Sequence, residues 1–188
     1  MATKALEILK ASDNDNGFYL MIEGGHIDLA EHKNKMHLAT EELVEFSHTI
    51  ETIRGLVGED TLIVVTADHA HALTLPGYVH KTKDIMAAEV ETSLEDNDGL
   101  PVPNLFFAVG PGSVTPRNYT EKAMADPHFM QPAAFHTAKG AHGGEDVGIW
   151  THGPYSWLFS GSMENTQVAY TIKFLLCLDG HETGLCDL

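Results

Sequence analysis

The sequence predicts an α/β protein with a mostly parallel central sheet flanked by helices, on three observations. The apolar run Phe18-Tyr19-Leu20-Met21-Ile22 is followed by Gly24 and Gly25, the punctuation of a strand that turns into a helix. A helical stripe then leads to a second apolar run at residues 61–67, Thr-Leu-Ile-Val-Val-Thr-Ala, too short for a typical helix and rich in β-branched side chains, as in a parallel strand buried on both faces. Strand, helix and strand within about 50 residues form one right-handed crossover unit. Both runs end in polar clusters, at the carboxyl ends where open α/β sheets bind ligands.

In chain order, MATKALEILK reads as an amphipathic helix, with Leu6 and Leu9 at helical spacing. It starts so abruptly that Met1 is expected to fall inside a helix rather than at the start of a domain. Residues 12–17 form a turn before the first strand. From Met36 the apolar positions Met36, Ala39, Leu43, Phe46, Ile50, Ile53 and Val57 step alternately by three and four, drawing one stripe down a helix that Gly58 closes. Seven of the eight prolines fall between Pro76 and Pro132, so residues 76–135 are expected to be a loop-rich insertion carrying one strand, at 105–109. Residues 146–150 read as a strand, and 163–178 as a helix whose Val168, Ile172 and Leu175 face inward.

Composition narrows the partners. The 188 residues suit one ordinary domain or part of a larger one, and a 43% hydrophobic content supports a core. Eleven basic against 27 acidic residues give a formal charge of -16, which repels rather than gathers an extended phosphate backbone, so nucleic acid is a poor partner. No apolar run reaches about 18 residues, and the N-terminus has no continuous apolar segment of the signal-peptide kind.

Twelve histidines is a high count for this length, and several stand beside acids. Asp28 and His32 are four apart, so on a helix begun after Gly25 both reach one ion. Carboxylate and imidazole form a zinc-type donor set, although the same spacing is common in solvated surface pairs. Asp68 and His69 sit at a strand terminus, where adjacent residues can both bind. A capping aspartate beside a loop histidine is the plain alternative. His71 suits either the surface or the task of orienting a ligating carboxylate. His142, in Gly140-Ala141-His142-Gly143-Gly144-Glu145-Asp146, brings a nitrogen from a third region. Glu23 offers oxygen, suited to a harder ion such as magnesium or to capping the next helix. His26 and Glu31 read as bystanders.

Taken together and in order, IEGGHIDLAEH, TLIVVTADHAH and AHGGEDVGIW resemble the metal-site segments of alkaline phosphatases, and the resemblance covers essentially residues 1–188. It implies the C-terminal part of a single alkaline-phosphatase-like domain, with the 76–135 insertion resembling the crown and part of the dimer contact. It further implies phosphate monoester hydrolysis through a phosphoserine at a site of two zinc ions and one magnesium ion. Asp28, His32 and His142 correspond to one zinc's ligands, Asp68 and His69 to ligands of the second, Glu23 to a magnesium ligand, and His71 to a histidine behind the first zinc. The family's nucleophilic serine corresponds to no residue here and is expected upstream, so the chain alone is expected to be inactive. A non-catalytic metal-binding or cell-surface module made from this part of the fold is the alternative. Cys177 and Cys186, nine apart, match a C-terminal disulfide of animal relatives, a loop whose closure contributes roughly 2 to 3 kcal/mol; free thiols are the alternative. Asn118 opens a glycosylation sequon. An extracellular or cell-surface location, a homodimer and a lipid anchor on the full protein follow from the same resemblance.

Overall fold

The structure is a computed structural model, and it describes residues 1–12, 16–76, 79–89, 101–115 and 119–178. Two compact units divide the chain. The first comprises Met1–Gly55 with Asp68–Asp146, and the second Leu56–Ala67 with the described part of Val147–Leu188.

In the first unit, α1 (Ala2–Lys10) buries Leu6 and α2 (His26–Glu31) is a helix of six residues. Next, α3 (Met36–Leu56) follows the predicted stripe. Met36 and Ala39 are buried, Phe46, Ile50 and Ile53 are half-buried, and Leu43 on the same stripe is exposed. Phe46 leans on the turn before α2, where any Cβ at Gly24 would lie 3.0 Å from its ring. A side chain there would crowd the Phe46 ring and the Ile27 methyl, which would have to give by a few tenths of an ångström.

Strands β2 (Ala70–His71) and β8 (His142–Gly143) pair antiparallel, with Ala70 opposite Gly143 and His71 opposite His142. A three-stranded sheet sets β3 (Leu73–Thr74) antiparallel to β6 (Phe106–Gly110), which pairs in parallel with β7 (Ala133–His136). Two-residue strands β4 (Ala88–Glu89) and β5 (Val102–Pro103) form a further antiparallel pair, and α4 (Glu121–Met124) is a single turn. Phe107, fully buried, joins Met36, Ala39, Met86, Leu105 and Ala133 in the core of this unit. The 76–135 segment therefore carries more strand than the single one expected. Two-residue ladders leave no periodic signal, and Pro103 argues locally against a strand.

In the second unit, β1 (Ile63–Thr66) pairs antiparallel with β9 (Ile149–His152), with Ile63 opposite His152 and Thr66 opposite Ile149. A 3-10 turn at Ser156–Phe159 and helix α5 (Asn165–Leu175) follow. Phe159 is the one buried hydrophobic residue of this unit among the described residues, and Val168, Ile172 and Leu175 are half-buried.

The expected mostly parallel central sheet is not what the described residues form. Their sheets are small, and β6 with β7 is the one parallel pair among them. Residues 18–22 pair with no strand among the described residues, and β1 is half-exposed with an antiparallel neighbour. Apolar content reports how far a strand can be buried; it does not report the direction of the strand beside it.

Candidate metal centre

Three short elements of the first unit converge on Asp28. The helical bond from His32 N–H to the Asp28 carbonyl, 2.9 Å long, sets the two side chains on one face of α2, as their spacing predicts. The β2–β8 ladder places His71 opposite His142, and the Ala72 N–H extends the pairing to the Ala141 carbonyl at 3.1 Å. Asp28, His32, His71 and His142 each offer a ligand atom, all within 4.8 Å of one another.

The separations discriminate within this group. His32 Nε2 lies 3.2 Å from His142 Nε2 and 3.4 Å from Asp28 Oδ2, and His142 Nε2 lies 3.3 Å from Asp28 Oδ1. A tetrahedral ion with ligands at about 2.0–2.1 Å sets neighbouring donor atoms about 3.3 Å apart. His71 Nε2 is only 2.6 Å from Asp28 Oδ1, a hydrogen-bond length rather than the edge of a coordination polyhedron. Its side chain is 3% exposed and its Nδ1 has no hydrogen-bond partner among the described residues, so the proton on Nε2 is the one that holds Asp28. The His32 ring is oriented too, donating from Nδ1 to the Gly140 carbonyl at 2.7 Å. That leaves its Nε2 lone pair facing His142, the tautomer a cation requires.

Burial raises the Asp28 carboxyl, but the His71 hydrogen bond and the positive charge of His32, His71 and His142 outweigh it, holding the group below its ordinary value. Burial pushes His71 below 6.5, against the opposing pull of Asp28. Glu31 moves the other way, raised by burial and by the Asp28 charge beside it.

Asp68 and His69 lie next to this group without joining it. His69 Nε2 is 3.2 Å from Asp68 Oδ2 and 3.8 Å from Asp28 Oδ1, and the His69 ring stacks on that of His142 at a centroid distance of 3.5 Å. Asp68 is largely exposed. Glu23 is exposed, and its carboxylate folds back toward Gly25, where a Cβ would meet Oε1 at 3.1 Å. His26 is exposed and faces Glu42 at 3.5 Å. Asn118 and Cys186 fall outside the described residues; Cys177 lies just beyond α5 with φ 54.

Glu31, read from the sequence as a bystander, stands closer to the cluster than that. Its half-buried carboxylate comes within 3.6 Å of His71 Nε2, and its place one residue before His32 was the available signal. A cleft of about 460 Å³ opens on His32 and His142, walled by Val109, Thr137, Lys139, Gly140 and Ala141. Its one side-chain hydroxyl belongs to Thr137, which donates to the Lys139 carbonyl at 2.7 Å.

These features define a chain of helices and small mixed sheets whose carboxylate–imidazole cluster could hold a divalent cation. The chain belongs to the alkaline phosphatase family, whose model matches residues 1–178. It is 35% identical to alkaline phosphatase 4 of Drosophila melanogaster over 95% of this chain and 33% of that protein. It is 32% identical to the membrane-bound alkaline phosphatase of Bombyx mori over 89% of this chain and 31% of that protein. With the human tissue-nonspecific isozyme the identity is 33%, over 99% of this chain and 36% of that protein. The chain thus spans about a third of the length of the curated relatives it matches.

Proposed function

We propose that this chain supplies one part of a phosphate monoester hydrolase centre, with Asp28, His32 and His142 as the protein ligands of one zinc ion. The near-equal separations among His32 Nε2, His142 Nε2 and the two Asp28 carboxylate oxygens, 3.2 Å between the imidazoles, 3.4 Å from His32 to Oδ2 and 3.3 Å from His142 to Oδ1, are the observation that carries the reading. Three protein ligands leave one position open, as a catalytic zinc site requires. Zinc held there supplies positive charge to phosphoryl oxygens and lowers the pKa of water to roughly 7.

The chain's own residues prepare that site. His71 holds the Asp28 carboxylate in its ionised form, and Gly140 holds the His32 ring with Nε2 forward. Asp68 and His69 are proposed as two ligands of a second zinc and Glu23 as a ligand of magnesium, on the resemblance of their segments to the family. None of the residues lining the cleft is a serine, and the nucleophile is proposed to come from outside these residues. The same family reading extends to a mostly parallel sheet completed in the whole protein, a Cys177–Cys186 disulfide, a glycan on Asn118, a homodimer, a lipid anchor and an extracellular or cell-surface location.

Zinc content per chain tests the assignment. The purified chain is expected to take up zinc, and His142→Ala to lose one zinc per chain relative to it. Equal stoichiometry in the two proteins would sink the His142 assignment.

A further inference from the structure

Close behind the cluster lies a polar interlock that ligand spacing does not explain. Helix α2 ends with Asn34 in the left-handed conformation, φ 53. The Lys35 N–H bonds back to the Ala30 carbonyl at 3.0 Å and the Asn34 N–H to the Glu31 carbonyl at 2.8 Å, the paired bonds of a Schellman ending. That turn begins at His32.

Asn34 is fully buried, as is Gln131 just before β7. The Gln131 N–H donates to the Asn34 carbonyl at 2.7 Å, and Asn34 Nδ2 donates to the Gln131 carbonyl at 3.1 Å. Two glycines make room for the pair. A Cβ at Gly110 would collide with the Asn34 amide, and one at Gly112 with the Gln131 carbonyl. A third, Gly140, lies where its Cβ would come 3.3 Å from His32 Cα and 3.4 Å from Asn34 Oδ1. Gly140 also donates from its N–H to the His32 carbonyl at 2.7 Å, in addition to accepting from the His32 ring. It stands two residues before His142.

We infer that Asn34 is a positioning residue: its buried amide pins the α2 turn to the Gln131 carbonyl and so holds His32 Nε2 at the separation from His142 Nε2 that a shared zinc requires. The inference rests on the zinc reading of His32 and His142. An ordinary helix ending needs only a residue that tolerates the left-handed region, and glycine serves best there. A fully buried asparagine whose amide bonds a backbone carbonyl 97 positions away does more than end a helix.

Asn34→Gly separates the two roles, because it keeps the left-handed turn and deletes the amide. Asn34→Asp, close in size and also tolerant of that region, replaces the donor with an acceptor. Zinc affinity of the full 188-residue chain is measured by competition with a chromophoric chelator, alongside the melting temperature of the metal-free protein. The ¹⁵N shifts of the metal-free His32 ring report its tautomer. Both variants are expected to bind zinc about tenfold more weakly, the lower end of what loss of a supporting contact costs a metal site. His32 should change from a fixed Nδ1–H tautomer to a mixture. A folded variant that binds zinc within twofold of the parent, or keeps the parent's tautomer, overturns the inference. Failure of both variants to fold makes Asn34 a folding residue and overturns it as well. A parent chain that takes up no zinc overturns the zinc reading itself, whereas a parent that binds zinc as tightly as its folded variants overturns only the role of Asn34.

Discussion

Asp28 meets four histidines, the contacts to His32, His69, His71 and His142 all lying within 3.8 Å. Without a cation, the ionisable groups around it pull stability in opposite directions with pH. Asp28 sits below its ordinary value of 3.8, so its contribution is present above that pH and is lost as pH falls through the folded value. His71 is held below 6.5, so the folded state favours the neutral ring; stability declines as pH drops beneath 6.5 and the unfolded chain takes up the proton first. Glu31, raised above 4.5, contributes stability below that pH and loses it as pH rises through its folded value. Glu31→Gln in the metal-free chain is therefore expected to raise the melting temperature at pH 8 and to leave it nearly unchanged at pH 4. Thermal melts at the two pH values check this, and an equal shift at both would mean that charge is not the cause. The one signal of Glu31 in the sequence, its place beside His32, was too weak to single it out, because a glutamate on a short helix reads as solvated until the partner across the space is known.

At the scale of elements, legibility followed local periodicity. Helix α3 was readable because its stripe repeats over six intervals, and Asp28 with His32 because one helical turn fixes their relation. By contrast, β2 and β8 hold two residues each, yet their register puts His71 opposite His142. No pattern of two residues can announce that. Asn34 and Gln131 were equally silent, since a buried amide looks like a surface one until its partner is placed. Residues 18–22, expected to be a strand, pair with none among the described residues, because an apolar run is necessary for a buried strand but does not supply a neighbour. Where backbone meets backbone, one glycine decides an element. Gly153 has φ +103, and a Cβ there would strike the Thr61 carbonyl and lie 3.2 Å from Leu62 Cα. Neither obstacle is a side chain that could swing away. Gly153→Ala is expected to destabilise the β1–β9 pairing by about 1–3 kcal/mol, the ordinary cost of a strained backbone or an overpacked contact. Hydrogen exchange of the β1 amides checks it, and protection equal to the parent's would show that the chain adjusts without loss.

Across the whole molecule, the proposed reaction needs more than the described residues place at the cluster. A phosphate monoester carries two negative charges, and splitting it through a covalent intermediate needs an oxygen nucleophile with its proton free to leave. The hydroxyl that lines the cleft, on Thr137, is already donating to a backbone carbonyl, and among the described residues no carboxylate or imidazole hydrogen-bonds to it. The second unit buries Phe159 but leaves Trp150, Trp157 and Tyr170 each about two-thirds exposed, so it contributes little apolar burial to stability. The relatives are about three times as long as the segment they share with this chain. The 188-residue chain loaded with zinc and magnesium is accordingly expected to bind metal without appreciable turnover of an aryl phosphate, measured as release of the coloured phenolate at alkaline pH. Turnover that rises in proportion to chain concentration, survives further purification and disappears in Asp28→Ala would show that these residues hold a complete centre. Metal binding without turnover would also fit the non-catalytic module, so the same assay on a longer protein carrying this segment separates the two readings. Activity that appears there and is lost with His142→Ala makes the cluster catalytic, while activity unaffected by His142→Ala leaves it a metal-binding element alone.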